Sequence, residues 1–210
     1  TRGARGYNKA RIDDFVSSLA RADALVARSG FMHASRRKLT FENQIQFTAD
    51  ALQHGLSRAV MIDGRYGWDT HSDNDDQNAF FDGFFDGLSA LADTLAARPG
   101  ARSGNTLLDE TVVVAMSEMG RTPLINDAAG KDHWPVTSAM VFGAGVRGGA
   151  LCGGTDDLLL SLPTRMDTGR TDAGGTIIHP EHLHAGLLQL VGVDPTPHFP
   201  GIQPLSAFHA

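Results

Sequence analysis

Cysteine is almost absent from this chain of 210 residues. Cys152 stands alone, so an intrachain disulfide is excluded. The cellular compartment stays open, because many periplasmic proteins carry no disulfide.

Long hydrophobic runs and an excess of positive charge are also missing. No apolar stretch approaches the roughly 20 residues that a membrane-spanning helix needs, and we predict no transmembrane segment. The formal net charge is -6, and the basic clusters, such as Arg36-Arg37-Lys38, are short. Without a basic face, nucleic acid is not expected as a partner.

The N-terminus has neither an initiator methionine nor a signal peptide, since the chain opens with Thr1-Arg2-Gly3. We therefore expect a processed or truncated product. Hydrophobic residues make up 41% of the chain and charged residues 20%, which is ordinary for a globular protein. A chain of this length can bury one substantial core, or two small ones at most.

Apolar periodicity and breaker residues predict an alternation of helices and strands. Helices are predicted over residues 8–29, 41–54 and 78–97 and from Pro180 onward, and strands over residues 59–63, 111–116 and 138–142. This order predicts an α/β sandwich with a largely parallel sheet. Without a linker or an internal repeat, residues 1–210 are predicted to form a single domain.

Three short motifs end in groups that bind metals or anions: Gly67–His71, Ser117–Thr122 and Lys131–Trp134. The middle motif follows the apolar run over residues 111–116, so Glu118 emerges at the carboxyl end of a predicted buried strand. Ligands of open α/β sheets bind outside the carboxyl ends of the strands. The motifs therefore predict a metal site at this edge of the sheet.

Asp69 and His71 are two residues apart, and in an extended segment such side chains point the same way. A carboxylate and an imidazole suit Zn²⁺, Mn²⁺ or Fe²⁺ better than Ca²⁺. The alternative is an Asp69 that caps a turn beside an exposed His71.

The other two motifs supply further candidates. Glu118 is a candidate ligand, or else the partner of Arg121 in a salt bridge. Asp132 and His133 are candidate ligands too, although Asp132 could instead orient His133. Arg121 and Lys131 are candidates to hold an anionic substrate, the alternative being ordinary surface charges.

No nucleophile is identified. Ser117 has no base adjacent in sequence and no Gly-x-Ser-x-Gly elbow. His179, His182 and His184 surround the start of the last helix, where structural or solvent roles are expected; His179 is the best of them as a ligand. The glycine-rich run over residues 143–149 is a turn rather than a phosphate loop.

Taken in order, the motifs resemble an uncharacterised bacterial family, "domain of unknown function 1501", which is itself similar to the alkaline phosphatase and sulfatase superfamily. The resemblance spans roughly residues 40–208. It is carried by the following segments: Gly67–His71, the helix from Asn78, Thr111–Arg121, Asn126, Gly130–His133, Val141–Gly154 and Leu187–Pro195.

The resemblance implies an alkaline-phosphatase-like α/β/α sandwich, of which this chain is the C-terminal part. It also implies an exported, periplasmic protein with a two-metal site that cleaves phosphate or sulfate esters. The segment that ends at Asp63 and the loop through His71 would supply an Asp and a His ligand. Glu118 would stand in place of a superfamily Asp, and Asp132 with His133 would supply the late His ligand.

Two departures separate the chain from the superfamily. Met119 follows Glu118 where the superfamily has histidine, and a thioether is a poor ligand for a hard or borderline ion. The early strand that carries the superfamily's nucleophile has no match before residue 40. The chain is therefore either a C-terminal piece of a longer protein or lacks ester-hydrolysis chemistry.

Three functional hypotheses follow. The first is a hydrolase of small anionic esters that depends on a divalent metal, zinc or manganese rather than calcium. The second is a non-catalytic envelope protein that keeps the fold and binds a glycan or a protein partner. The third is a fragment whose partner is its own missing N-terminal segment.

Overall fold

A computed structural model of the protein describes residues 6–27, 40–64 and 66–210. Its helices are α1 Tyr7–Ala27, α2 Phe41–Gln53, α3 Asp76–Ala96 and α4 Pro180–Leu190; its strands are β1 Val112–Met116, β2 Gly120–Arg121, β3 His133–Trp134 and β4 Ala139–Gly143. The four predicted helices and the last two predicted strands are confirmed to within a few residues. Residues 28–30, where the first helix was predicted to end, lie outside the described residues.

None of the described helices combines the length and the apolar character that crossing a membrane requires. This agrees with the prediction of no transmembrane segment.

The strands form two small antiparallel sheets. β1 pairs with β4 from Val112–Gly143 to Met116–Ala139, and β2 pairs with β3. The predicted alkaline-phosphatase-like sandwich with a largely parallel sheet is therefore wrong: the described fold mixes helices with short antiparallel sheets. Parallel neighbours need a crossover connection, usually a helix, and residues 117–138 between β1 and β4 contain β2 and β3 but no helix.

The predicted strand over residues 59–63 is also wrong, because this segment has no regular secondary structure. Met61 is 95% exposed. The main chain of Asp63 pairs with the side chain of Gln44: Nε2 of Gln44 donates to the Asp63 carbonyl at 2.8 Å, and Oε1 accepts from the Asp63 N–H at 3.1 Å. The Gln44 side chain of α2 thus makes the main-chain hydrogen bonds at Asp63 that a neighbouring strand would make.

The described residues group into two compact units, and the single-domain assignment stays a prediction beside this grouping. The first unit comprises the described residues of Thr1–Tyr66 and Asp82–Leu107. Its buried apolar side chains come from α2, α3 and the segment after α3: Ile45, Ala49, Ala51, Leu88, Leu91, Leu95 and Leu107.

Helix α3 packs on α2. Its apolar stripe had been predicted to pack on a sheet. Gly87 allows the close approach, since a Cβ there would lie less than 3.0 Å from the Phe41 ring. The aromatic members of the stripe are not buried: Phe81 and Phe85 are 45% and 48% exposed. In α1, no side chain is buried.

The second unit comprises Gly67–Phe81 and Leu108–Ala210. Its core joins the C-terminal tail to α4 and β4: buried Met166, Leu205, Ala207 and Phe208 pack with Val141, Leu183, Leu187 and Leu190, among others. Gly186 lets the tail pass close to α4, because a Cβ there would lie less than 3.0 Å from the carbonyl oxygen of Leu205. His182 is buried, and its Nδ1 lies 2.8 Å from the carbonyl oxygen of Gln203, which agrees with the structural role expected for this histidine.

Candidate metal centre

Asp69, His71 and His133 converge in the second unit. Oδ1 of Asp69 lies 2.8 Å from Nδ1 of His71 and 3.5 Å from Nε2 of His133. The two imidazole rings have their centroids 4.7 Å apart, and one ligand atom from each of the three residues lies within 4.8 Å of the others. A carboxylate and two imidazoles at this separation can reach a single ion.

The first two members of this cluster flank a buried residue. Thr70 is 5% exposed; its hydroxyl accepts from Nε2 of Gln77 at 2.7 Å, and its carbonyl accepts from the Lys131 N–H at 2.9 Å. Because Thr70 points inward, its neighbours Asp69 and His71 point outward together, as the two-residue spacing predicts.

The third member is placed by the hairpin of β2 and β3. In this pair His133 is the register partner of Arg121, and the hairpin continues as the Thr122 N–H donates to the Asp132 carbonyl at 3.0 Å. The turn side of the hairpin is exposed, with Leu124 79% and Ile125 62% accessible. Register therefore brings both Arg121 and His133 to Asp69.

Arg121 supports the cluster from the side. Its Nη2 donates to Oδ1 of Asp69 at 2.8 Å and to the Trp68 carbonyl at 2.9 Å, and its Nη1 donates to the Lys131 carbonyl at 3.1 Å. Among the described residues, the acidic partner of Arg121 is Asp69, whereas the salt bridge considered from the sequence was with Glu118. These bonds engage much of the guanidinium, and its role in gripping a substrate anion stays a prediction.

The Arg121 hydrogen bond holds the pKa of the Asp69 carboxyl below its ordinary value, with smaller lowering contributions from the hydrogen bond of His133 and the charge of His71; partial desolvation acts in the opposite direction. Asp69 is therefore ionised at neutral pH, which is the form that binds a metal.

We expect Arg121→Gln to raise the pKa of Asp69 toward its ordinary value, as read from an NMR titration of carboxyl carbons in the metal-free protein. Because the folded pKa lies below the unfolded one, ionised Asp69 stabilises the fold above the unfolded pKa, and this contribution is lost as pH falls through the folded pKa. Asp194 is the internal control, since the main-chain N–H of Thr196 is the first cause of its lowered pKa. An unchanged Asp69 titration in the variant would show that Arg121 is not the cause.

The remaining predicted ligands, Glu118, Asp132 and Asp63, are not members of this cluster. In the described part of the chain, the group that can hold an ion comprises Asp69, His71 and His133. Glu118 is exposed beyond the end of β1, and Oδ1 of Asp132 accepts from Nδ2 of Asn126 at 3.1 Å. Asp63 belongs to the first unit, so its participation stays a prediction.

Ser117 was not expected to act as a nucleophile. Its hydroxyl donates to the Met119 carbonyl at 2.8 Å and lies 3.1 Å from the hydroxyl of Thr137. The first contact is local and the second reaches Thr137, 20 residues later. That Ser117 is not the nucleophile stays a prediction.

Two contacts of the site were not predicted from the sequence: Arg121 with Asp69, and Asn126 with the His71 carbonyl and with Asp132. Asn126 had a partial signal, since Asn in a loop with Gly four residues later is typical of a side-chain-capped turn. The contact of Arg121 crosses 52 residues of sequence, and no local pattern indicates it.

The comparisons with known proteins give one match. No curated protein matches the chain, and no solved structure does either. The family model described as "Protein of unknown function (DUF1501)" matches residues 24–205. A similarity to the alkaline phosphatase and sulfatase superfamily does not follow from this match. Because the match covers most of the chain, the protein belongs to the family of proteins of unknown function DUF1501.

Proposed function

We propose that this protein is a metal-dependent hydrolase of anionic esters, phosphate or sulfate, and that Asp69, His71 and His133 bind its metal ion. The observation that carries the proposal is the convergence of one carboxylate and two imidazoles within 4.8 Å. Catalytic zinc sites use three protein ligands of this kind and keep a fourth position for water or substrate.

The donor set favours zinc or manganese over calcium. Ca²⁺ takes six to eight oxygen ligands, whereas two of the three donors here are imidazole nitrogens. When bound, such an ion supplies a hydroxide nucleophile, because it lowers the pKa of its water to about 7.

Charge at the site favours an anionic substrate. The guanidinium of Arg121 lies 2.8 Å from Asp69 and offsets the charge of that carboxylate. A divalent ion bound here would keep its full charge toward a substrate, since the histidine ligands are neutral when they coordinate. Lys131 comes two residues before His133 and adds a second cation in this stretch of the chain.

Exposure of the site favours a second candidate, a non-catalytic protein that uses the ion to bind a glycan or a protein partner. The exposed fractions of the side chains are 75% for Asp69, 46% for His71 and 53% for His133. Hydrolytic sites usually exclude bulk water during reaction. The two candidates share the ion and differ in turnover.

Metal binding is tested first by titrating the chelator-stripped protein with Zn²⁺ and Mn²⁺ in a calorimeter. We expect about one equivalent to bind the wild-type chain, in keeping with a three-ligand catalytic site. His71→Ala and His133→Ala should each lose this binding, because two protein ligands remain. His198→Ala, which removes an exposed histidine of the C-terminal tail, is the matched control. Undiminished binding by both ligand variants would refute the assignment of the site.

Turnover then separates the two candidates. The metal-loaded chain is assayed with p-nitrophenyl phosphate and p-nitrophenyl sulfate, before and after chelation. Hydrolysis that is lost on chelation and in His133→Ala, and kept in His198→Ala, supports the hydrolase. Metal binding without turnover of either ester favours the non-catalytic candidate.

A further inference from the structure

Asn126 uses the whole of its side-chain amide within the ligand-bearing loops. Its Oδ1 accepts from the main-chain N–H groups of Ala128 and Gly130, both at 3.0 Å. Its Nδ2 donates to the His71 carbonyl at 3.0 Å and to Oδ1 of Asp132 at 3.1 Å. The two main-chain donors fix which end of the amide is oxygen, so Asn126 offers no atom to a metal.

The amide stands where two segments of the second unit are joined. Main-chain bonds link them on either side: the Lys131 N–H donates to the Thr70 carbonyl at 2.9 Å, and the Asn74 N–H donates to the Ala129 carbonyl at 2.9 Å. One segment carries His71 and the other continues into His133. Asn126 bonds to the main chain of His71 and to the residue immediately before His133.

We propose that Asn126 is a positioning residue that sets the separation of His71 and His133, and thereby the metal affinity of the site. This inference rests on the proposed function for the presence of the ion. Groups that orient ligands without touching the metal typically change affinity about 10- to 100-fold when removed. The two Nδ2 bonds act on the ligand geometry, whereas the two Oδ1 bonds shape only the local turn.

Three variants separate these contributions. Asn126→Ala removes all four bonds. Asn126→Asp keeps acceptors for the N–H groups of Ala128 and Gly130 but sets a carboxylate oxygen against the His71 carbonyl and Asp132. Asn126→Asp combined with Asp132→Asn reverses donor and acceptor across the 3.1 Å contact and restores that bond.

Two measurements are made on each variant: the dissociation constant for Zn²⁺, and hydrogen exchange of the metal-free protein. We expect Asn126→Ala and Asn126→Asp to weaken Zn²⁺ binding about 10- to 100-fold, and the double variant to bind more tightly than Asn126→Asp. Amides of Asn74 and Lys131 should exchange faster, while those of β1 and β4 stay as in the wild type. Gln189→Glu, which adds the same charge at an exposed position of α4, should change neither readout.

The outcomes are distinct. If Asn126→Ala and Asn126→Asp bind Zn²⁺ as tightly as the wild-type chain, the inference is overturned, whatever their hydrogen exchange. The proposed function still stands in that case, because the wild-type chain binds Zn²⁺. A wild-type chain that does not bind the metal overturns the proposed function, and with it the inference that Asn126 sets metal affinity, even if the variants exchange faster. Weaker binding with rescue by the double variant supports both.

Discussion

Gly130→Ala is expected to abolish measurable Zn²⁺ binding and to destabilise the second unit. A Cβ at this position would lie less than 3.0 Å from the main-chain carbon and oxygen of His71 and from the nitrogen of Ser72. These are main-chain atoms, so no side-chain rotation relieves the overlap. The segments must part by roughly 1 Å, which exceeds the tolerance of about 0.5 Å for a preorganised site. Overpacking of this kind costs about 1–3 kcal/mol.

The matched control is Gly148→Ala in the same unit, because a Cβ there meets nothing within 4 Å. Calorimetric titration with Zn²⁺ and thermal unfolding of the metal-free protein give the two readouts. We expect the control to match the wild type in both. A Gly130→Ala chain with wild-type affinity would mean that the contact between these segments does not set the site.

Leu95→Ala is expected to produce the largest loss of stability in the first unit. Leu95 is 1% exposed on α3, and it is one of the buried apolar residues of the unit that also contains α2. Removing a buried leucine side chain costs about 2–5 kcal/mol, because transfer free energy is lost and a cavity remains.

Hydrogen exchange of amides in α2, such as those of Ile45 and Ala49, reports this loss within the same unit under native conditions. Met61→Ala is the control: Met61 is 95% exposed, and surface substitutions usually stay within about 0.5 kcal/mol. Equal protection of α2 in the two variants would show that Leu95 does not anchor the pair of helices.

The helices were predictable because their apolar spacing and end signals are local. α2 begins after Thr40, whose hydroxyl accepts from the Asn43 N–H at 3.2 Å, and α4 begins at Pro180 after an extended residue. Such signals depend on neighbours in sequence and need no knowledge of the fold. What they leave open is the surface against which a helix packs, which is why the stripe of α3 was assigned to a sheet.

The direction of strand pairing was not predictable from the apolar runs. The runs that become β1 and β4 have the composition of buried strands, yet each lies in a two-stranded sheet and is only partly buried. Short apolar runs indicate strands without indicating their partners. β2 and β3 have two residues each, and strands this short show no detectable alternation of apolar and polar residues.

The candidate site was predicted in part. The motifs pointed to Asp69, His71 and His133, and these are the residues that come together. Glu118 was added because a parallel sheet would gather strand ends at one edge. The described fold has no parallel sheet, so this reason does not apply. The register of β2 and β3 brings His133 to Asp69 instead.

In the hairpin of β2 and β3, the paired strands must keep their register, whereas the turn between them is free to change in sequence. The strands hold Arg121 opposite His133, and a slip of one residue would turn these side chains to the other face. Leu124 and Ile125 at the turn side are exposed, and surface loops tolerate substitution and insertion. We therefore expect relatives to differ in the sequence and length of this turn, while they keep the paired strands that hold His133 beside Asp69.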